Sequence, residues 1–177
     1  MFEKRAQNFV KLEKQKENVL KVAEIIKHTF QTGNKILLCG NGGSASDCNH
    51  IAAEFISRFQ KERKSLSAIS LSANNSIITA IANDYSFEDV FSRQIEGLGN
   101  ENDVLIAIST SGKSKNVLKA IKQAKKQGLK TIFLTGEEKT NVEVDIEINT
   151  PSKITCEIQE MHIALAHIIC QMVEEEL

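Results

Sequence analysis

A histidine and a glutamate four residues apart are the first side chains in the sequence that could do chemistry together. His50 and Glu54 would project from one face of a helix, because residues at i and i+4 lie one above the other. Such a pair can bind a metal ion or transfer protons. An isolated pair usually forms only a solvated contact. This predicted helix, however, follows a glycine loop at the carboxyl end of a strand, where open α/β sheets bind ligands.

Gln159 and His167 are a second candidate pair, on the predicted C-terminal helix. Their separation of eight residues places them about 80° apart around the helix axis, so both can border one cleft. His162, near the apolar stripe of that helix, is interpreted as a buried structural residue. The stripe itself predicts the core face of the helix and consists of Ile154, Ile158, Met161, Leu165, Ile168 and Met172.

A glycine-rich loop, Gly40–Ser44, follows the first predicted strand and opens the helix that contains His50. Its glycines permit tight turns, and its amides would point at an anion over the helix N-terminus. The spacing Gly40-x-Gly42-x-x-Ala45 also matches the dinucleotide fingerprint weakly. The second strand ends in Ser70–Asn74, without the acidic residue that would bind a ribose, so NAD is disfavoured.

A second loop, Ser109–Ser114, again lies between a strand and a helix. It combines four hydroxyls, one lysine and a helix N-terminus, which together suit a phosphate group. The segment AISTSGKS comes close to a P-loop, but no apolar strand ends in the aspartate that a Walker B site requires. The loop therefore predicts a phosphate site without a nucleotide. Asn83 and Asp84 are interpreted by default as caps of the following helix.

The elements that position these residues follow from five short apolar runs separated by segments of helical periodicity. The pattern predicts an α/β fold with a parallel, doubly wound sheet. The last run alternates in polarity, as an edge strand does. The runs are Lys35–Gly40, Leu66–Leu71, Asp103–Ser109, Lys130–Gly136 and Val144–Thr150.

Composition indicates one compact domain over 1–177, with an N-terminal helix over about 1–32 and an α/β core over about 35–177. The 177 residues are 41% hydrophobic and have a net charge of -1, so no excess of basic residues favours nucleic acid or an anionic membrane as a partner. The N-terminus has no apolar leader segment, and the four cysteines form no CxxC pair. We expect reduced thiols and a cytoplasmic protein.

In combination, the motifs resemble the sugar isomerase (SIS) domain family and, within it, the phosphoheptose isomerases. The resemblance covers nearly the whole chain and implies a three-layer α-β-α domain with a five-stranded parallel, flavodoxin-like sheet and long terminal helices. The segments that support it are Cys39–Ser44 with His50 and Glu54, Ala82–Tyr85 with Val90–Gln94, Ile108–Ser114, Leu134–Gly136, and Ile158–His162 with His167. One departure is Cys156-Glu157, where the family commonly has a polar residue and arginine.

The resemblance implies a role for each candidate position. The hydroxyls of the second loop would bind the substrate phosphate, residues after the first two strands would line the sugar, and three side chains would surround its carbonyl. The phosphate ligands would be Ser109, Thr110, Ser111 and Ser114; the sugar would contact Asn41, Gly42, Gly43, Ser44, Asn83 and Asp84; Glu54, Gln159 and His167 would surround the carbonyl.

The resemblance also implies one zinc ion per subunit, bound by His50, Glu54, Gln159 and His167, and an acid/base pair formed by Glu54 and His167. These roles compete for the same lone pairs, because a carboxylate bound to zinc is a poor base. Either one carboxylate oxygen stays free, or the metal-bound state differs from the state that transfers protons.

The predicted activity is isomerisation of D-sedoheptulose 7-phosphate to D-glycero-D-manno-heptose 7-phosphate through an enediol, the first step of activated heptose synthesis for lipopolysaccharide or capsule. Glu54 would move the proton between C1 and C2, and His167 would serve the oxygen side. Two alternatives remain: a non-catalytic SIS regulator of the DiaA type that binds a replication initiator, and a 3-hexulose 6-phosphate isomerase. The resemblance further implies a homotetramer with active sites at subunit interfaces, packed partly through the N-terminal helix.

Overall fold

The computed structural model describes residues 1–177 and has a five-stranded sheet at its centre. Every neighbouring pair of strands is parallel, in the order β2-β1-β3-β4-β5. The predicted parallel, doubly wound sheet is confirmed, and β5 is an edge strand as its alternation indicated. The strands are β1 (Ile36–Gly40), β2 (Ala68–Ser70), β3 (Val104–Ile108), β4 (Lys130–Thr135) and β5 (Ile146–Asn149).

Helices cover both faces of the sheet, which explains why β1 and β3 are buried along their whole lengths. Two 3₁₀ turns, Leu12–Gln15 and Phe87–Asp89, accompany the α-helices. None of the helices has the length and apolar content needed to cross a membrane. The helices are α1 (Phe2–Lys11), α2 (Lys16–Gln31), α3 (Gly43–Ile56), α4 (Asn75–Asp84), α5 (Ser92–Leu98), α6 (Lys115–Lys126) and α7 (Thr155–Glu175).

The N-terminal region differs from the single helix expected over about 1–32. It forms two α-helices, α1 and α2, joined by the 3₁₀ turn Leu12–Gln15. The segment Lys11–Asn18 offers Leu12 as its only apolar residue, so it has no continuous stripe that could pack as a straight helix. Leu12 is buried, and the rest of this turn contacts solvent.

The core face of α7 was predicted only in part. Ile154 precedes the helix, and Ile168 is 48% exposed, so neither belongs to the core. Ile169, Cys170 and Val173 are buried instead, because α7 packs against α2 as well as α3 and the sheet, which widens its buried face beyond one stripe. The remaining expected core residues Ile158, Met161 and Leu165 are buried, and Met172 is half-buried.

The position of the two glycine- and hydroxyl-containing loops follows from the strand order. They leave the carboxyl ends of β1 and β3, which are paired neighbours up to Gly40 and Ile108. The following helices diverge: α3 packs in the apolar cluster that contains α2 and α7, and α6 packs in the cluster on the opposite face. The crevice between β1 and β3 is therefore the topological switch point, where doubly wound sheets bind ligands.

Candidate active site

Three of the side chains singled out in the sequence converge on the outer side of α3 and α7. His50 Nε2 lies 3.0 Å from Glu54 Oε1 and 3.3 Å from His167 Nε2. His50 is exposed, while Glu54 and His167 are half-buried. A carboxylate and two imidazoles at these distances form a set that can exchange protons or bind a cation.

Parallel packing of α3 and α7 brings these residues together. A Cβ at Gly43, the first residue of α3, would lie 2.2 Å from Gln159 Nε2, near the start of α7. Farther along, His50 meets His167, and beyond the end of α3 the amide of Phe59 reaches Glu174 near the end of α7. The contacts advance in the same direction on both helices. A side chain at position 43 would push the Gln159 amide out of this position.

A buried ion pair closes the far end of this helix pair, and the sequence analysis did not identify it. The Glu174 carboxylate accepts hydrogen bonds from the backbone amides of residues 59–61 and from Arg63 Nε, at 2.6–3.1 Å. The Arg63 guanidinium also donates to the carbonyls of Glu54 and Phe55 in the last turn of α3. We call this arrangement the Glu174 clamp. It caps the end of α3 that bears Glu54.

The Glu174 clamp also places an aromatic ring on the acid/base cluster. The Phe59 ring centroid lies 5.5 Å from that of His167, and the Phe59 amide is one of those bound by Glu174. Burial by itself raises the pKa of Glu174, but the three backbone N–H groups and Arg63 lower it overall, so the carboxylate stays ionised. The clamp thus fixes one wall beside His167.

The hydroxyl loop forms a compact turn before α6. The Gly112 amide donates to the Ser109 carbonyl, and the Ser109 and Ser114 hydroxyls are 3.0 Å apart. Gly112 has a φ of +65°, a conformation that glycine adopts without strain. The turn collects hydroxyls beside the N-terminus of a helix of 12 residues, as a phosphate site requires.

A small polar cavity of about 180 Å³ adjoins this loop. Lys113 and Lys153 contribute positive charge, whereas Glu137 and Glu138 contribute negative charge at its rim. Gly136 forms part of the wall, where a Cβ would collide with the Thr110 carbonyl oxygen at 2.7 Å. The hydroxyl loop therefore borders a solvent-open pocket, and the close packing of Gly136 against Thr110 leaves no room for a side chain at that point of its wall.

The Gly40–Ser44 loop starts α3 with Gly42 at φ +56° and Gly43 against Gln159. The Asn41 side chain, expected to line the sugar, pairs with Asn116 at the start of α6. Ser44 is buried. The asparagine amide of this loop is thus held by the protein itself, and the Ser44 amide donates to the Asn41 carbonyl within the loop.

Asn83 and Asp84 are not brought to the other candidates within one chain. They are the last two residues of α4, so their interpretation as caps of a following helix was wrong. Asn83 donates to Asp84, and neither forms a hydrogen bond with the two loops. Both side chains are exposed, in a region that also holds Tyr85 stacked beneath Arg93.

The histidine and glutamate cluster fits a zinc ion. The ligand atoms of His50, Glu54 and His167 all lie within 4.8 Å of one another. Two ligands of one tetrahedral zinc at about 2.0–2.1 Å stand about 3.4 Å apart, close to the 3.3 Å between the two imidazole nitrogens. The Gln159 amide lies against Gly43 at the start of the same helix pair, and the described contacts do not bring it to the other three side chains.

Glu157 anchors α1 beside the cavity, at a position where this chain departs from the family pattern. Its carboxylate accepts hydrogen bonds from Lys4, Asn8 and Ser152, and the side chain is 5% exposed. Lys4, followed by the Ser152 hydroxyl, lowers the pKa of Glu157 to about 2. Ser152 also lines the cavity beside the hydroxyl loop, so α1 is tied to the wall of that cavity.

The chain is similar to known proteins along most of its length. The family model of the SIS domain matches residues 2–136. The chain is 50% identical over 161 residues to the phosphoheptose isomerase of Thermodesulfovibrio yellowstonii, spanning 90% of this chain and 80% of that protein. It is 52% identical over 165 residues to that of Helicobacter pylori strain P12, spanning 92% and 86%. The chain belongs to the phosphoheptose isomerase family of SIS domains.

Solved structures of phosphoheptose isomerases share the fold along nearly the whole chain. The structure of GmhA from Neisseria gonorrhoeae superposes with a TM-score of 0.89 at 37% identity, covering 98% of this chain and 95% of that one. A phosphoheptose isomerase from Francisella tularensis gives a TM-score of 0.91 at 31% identity, covering 98% and 94%. The three-layer SIS architecture expected from the resemblance is confirmed.

Proposed function

We propose that the protein interconverts D-sedoheptulose 7-phosphate and D-glycero-D-manno-heptose 7-phosphate through an enediol, as a step in activated heptose synthesis. The observation that supports this most is the cluster of Glu54 with two imidazoles, 3.0–3.3 Å apart, in a chain of the phosphoheptose isomerase family. A regulator that only binds a partner has no use for such a cluster.

The phosphate binds at the hydroxyl loop in this proposal. The N-terminus of α6 and the hydroxyls of Ser109, Thr110, Ser111 and Ser114 supply hydrogen-bond donors, and Lys113 supplies charge. The phosphate does not react, so its binding energy can orient the distant carbonyl end. Amides of the Gly40–Ser44 loop face the sugar between the two ends.

Proton transfer takes place at α3 and α7. Glu54 removes a proton from C1 of the ketose and returns it to C2. His167 gives a proton to the oxygen on C2 and then takes up the proton that the C1 hydroxyl loses, so both groups regain their starting state. The product is an aldose of the same composition. Glu54 Oε1 faces His50, and Oε2 makes no hydrogen bond within the chain, so we assign the proton transfer to Oε2.

We also propose a zinc site formed by His50, Glu54, Gln159 and His167. When bound, zinc would act as a Lewis acid that stabilises negative charge on the sugar oxygens. A zinc titration followed by metal analysis should find one ion per chain, with binding weakened at least tenfold in His50→Ala and unchanged in His28→Ala, since His28 is an exposed histidine of α2. Equal zinc binding by His50→Ala and His28→Ala would contradict this zinc site.

Association into a homotetramer is proposed on the basis of apolar surface. A groove of about 400 Å³ between the N-terminal helices and α7 is lined by eight apolar residues, and Phe9, Leu20 and Ile168 on it are 37–48% exposed. A second copy of the chain would cover this surface and bring further residues to the exposed His50.

We place the protein in the cytoplasm, because Cys39, Cys48 and Cys170 are buried free thiols.

Incubation with ketose phosphates of seven, six and five carbons tests the function. Formation of the aldose from sedoheptulose 7-phosphate, with kcat/KM at least tenfold above that for the shorter ketoses, is the expected result. Preferred turnover of the six-carbon ketose would support the hexulose phosphate isomerase instead. A folded, zinc-loaded protein that converts none of the three would contradict an isomerase activity.

A further inference from the structure

Two asparagines form the only side-chain hydrogen bonds between the Gly40–Ser44 loop and the Ser109–Asn116 segment. Asn41 Nδ2 donates to Asn116 Oδ1 at 2.9 Å, and Asn116 Nδ2 donates to Asn41 Oδ1 at 2.8 Å. Asn116 is only 3% exposed. The pair therefore uses both functional groups of each amide in a protected contact, where a reciprocal pair has a defined geometry.

Each partner is fixed close to the start of a helix. Asn116 lies in the first turn of α6, two residues after Ser114, and its Oδ1 also accepts a hydrogen bond from the Val117 amide. Asn41 directly precedes Gly42, the cap of α3. Because α3 and α6 lie on opposite faces of the sheet, this pair is a direct bridge between their N-termini across the switch point.

This bridge joins the two ends of the site. Helix α6 begins at the hydroxyl loop, and α3 bears His50 and Glu54 on its second and third turns. Since an α-helix is stiff over such a length, the spacing between the two N-termini sets the spacing between the phosphate hydroxyls and Glu54. That spacing decides which carbon of a bound sugar phosphate lies beside Glu54.

We propose that the Asn41–Asn116 pair acts as a spacer that selects the length of the sugar phosphate. Both asparagines are positioning residues in this role, and the inference rests on the proposed isomerase function. One carbon more or less between phosphate and carbonyl moves the reacting carbons by about 1 Å, and a misplacement of that size can cost on the order of 10²-fold in rate. A spacer held by two hydrogen bonds, of 2.9 and 2.8 Å, can discriminate at this level.

The test is a double-mutant cycle measured with ketose phosphates of seven, six and five carbons. We expect Asn116→Ala to lower kcat/KM for sedoheptulose 7-phosphate by about 10- to 100-fold, mainly through kcat. The same substitution should lower the preference for seven over six carbons by at least tenfold. Asn41→Ala should have the same effects. The double variant should have a kcat/KM no lower than that of the less active single variant, because either substitution alone already breaks the contact.

Two controls separate the spacer from a general role in stability. Asn34→Ala removes another structural amide, which contacts Asp103 and the Glu101 carbonyl at the opposite end of the sheet, and should leave the length preference unchanged. Competitive inhibition by inorganic phosphate should stay within about twofold of the wild type in all variants. Where Asn116→Ala fails to fold, Asn116→Ser takes its place in the cycle.

Equal loss of kcat/KM for the ketose phosphates of all three lengths would overturn the proposal that the pair acts as a spacer. Additive effects of the two substitutions would overturn it too. Failure of the proposed function looks different, because the wild type would then convert none of the ketoses. In that case calorimetric binding of the same three sugar phosphates replaces turnover. An unchanged length preference in binding by Asn116→Ala would again overturn the inference, and a lost preference would support it.

Discussion

The two ends of the candidate site are built in different ways. The hydroxyl loop is one continuous segment, Ser109–Ser114, that forms three hydrogen bonds within itself and further backbone bonds to Leu134, Gly136 and Leu118. The acid/base cluster joins His50 and Glu54 of α3 to His167 of α7, more than a hundred residues later. It depends on the packing of two helices and on the Glu174 clamp. One end is local in sequence, and the other exists only in the folded chain.

The two ends are therefore sensitive to substitutions at different places. Short hydroxyls and amides at a helix N-terminus are already oriented by the backbone, so substitutions outside the loop should affect phosphate binding little. Long side chains from two helices need supporting contacts to hold a productive geometry. Residues that never touch substrate, such as Glu174 and Arg63, should therefore affect the chemical step and leave phosphate affinity nearly unchanged.

Removal of the proposed base should have the largest effect. Glu54→Gln keeps the shape of the side chain but cannot accept the proton, and should lower kcat by about 10²- to 10⁴-fold while phosphate inhibition stays near the wild-type value. Steady-state kinetics on sedoheptulose 7-phosphate measure this. The matched control, Glu62→Gln, changes an exposed glutamate outside the cluster and should retain full activity. A kcat of Glu54→Gln near the wild-type value would exclude Glu54 as the base.

Loss of the Glu174 clamp should come next. In Glu174→Gln an amide N–H group faces backbone donors, which should lower the free energy of unfolding by about 3 kcal/mol and kcat by about tenfold. The inhibition constant of phosphate should change less than twofold. Urea unfolding and kinetics check these values against Glu175→Gln, an exposed neighbour on α7. A weaker phosphate affinity with unchanged kcat would show that the Glu174 clamp supports the phosphate end and not the acid/base cluster.

Substitution in the hydroxyl loop should produce the opposite pattern. Ser114→Ala removes one donor to the phosphate and its contact with the Ser109 hydroxyl, so KM and the inhibition constant of phosphate should both rise about tenfold. We expect kcat to fall less than threefold. Ser76→Ala, at an exposed position of α4, serves as the control for serine removal. A large loss of kcat with unchanged phosphate affinity would show that the loop belongs to the reacting end.

His162 lies on α7 between the two ends and has the smallest expected effect at neutral pH, because its contribution to stability changes only in acid. Its Nε2–H donates to the Thr135 carbonyl next to the cavity, and burial lowers its pKa to about 4 from the usual 6.5. The neutral ring is favoured in the folded state, so this stability is complete above pH 6.5 and is lost as the pH falls from 6.5 towards 4. The loss amounts to at most about 3 kcal/mol.

A comparison with His162→Gln isolates this contribution. The glutamine can still donate to a carbonyl but does not titrate, so its unfolding free energy should depend less on pH between 4 and 6.5 than that of the wild type. Urea unfolding at several pH values measures both slopes. Equal slopes of unfolding free energy against pH in the two proteins would show that titration of His162 does not contribute to stability in this range.

The fold and the position of the hydroxyl loop between a strand and a helix could be predicted from the sequence because their signals are local. Apolar runs mark strands buried on both faces, and hydroxyls with glycine between a strand and a helix mark an anion site. The pair His50 and Glu54 was visible for the same reason, since one helix turn places them together.

The supporting contacts could not be predicted. Arg63 lies in the charged segment Arg58–Lys64, and Glu174 opens an acidic run at the end of α7, so neither differs in type from its solvated neighbours. Only the folded chain brings Glu174 to Arg63 across 111 residues. Asn116 was likewise not distinguished, because its partner Asn41 is 75 residues away. Such contacts have no period and no spacing that sequence could reveal.

Proton NMR of sedoheptulose 7-phosphate incubated in D₂O with the wild type and with Glu54→Gln shows directly whether Glu54 transfers the proton. Proton transfer by Glu54 through an enediol predicts that the aldose forms with the wild type and that deuterium enters at C1 of the ketose or C2 of the aldose. Neither change should occur with Glu54→Gln at a comparable rate. Equal rates of aldose formation and of deuterium incorporation in the wild type and Glu54→Gln would contradict proton transfer by Glu54.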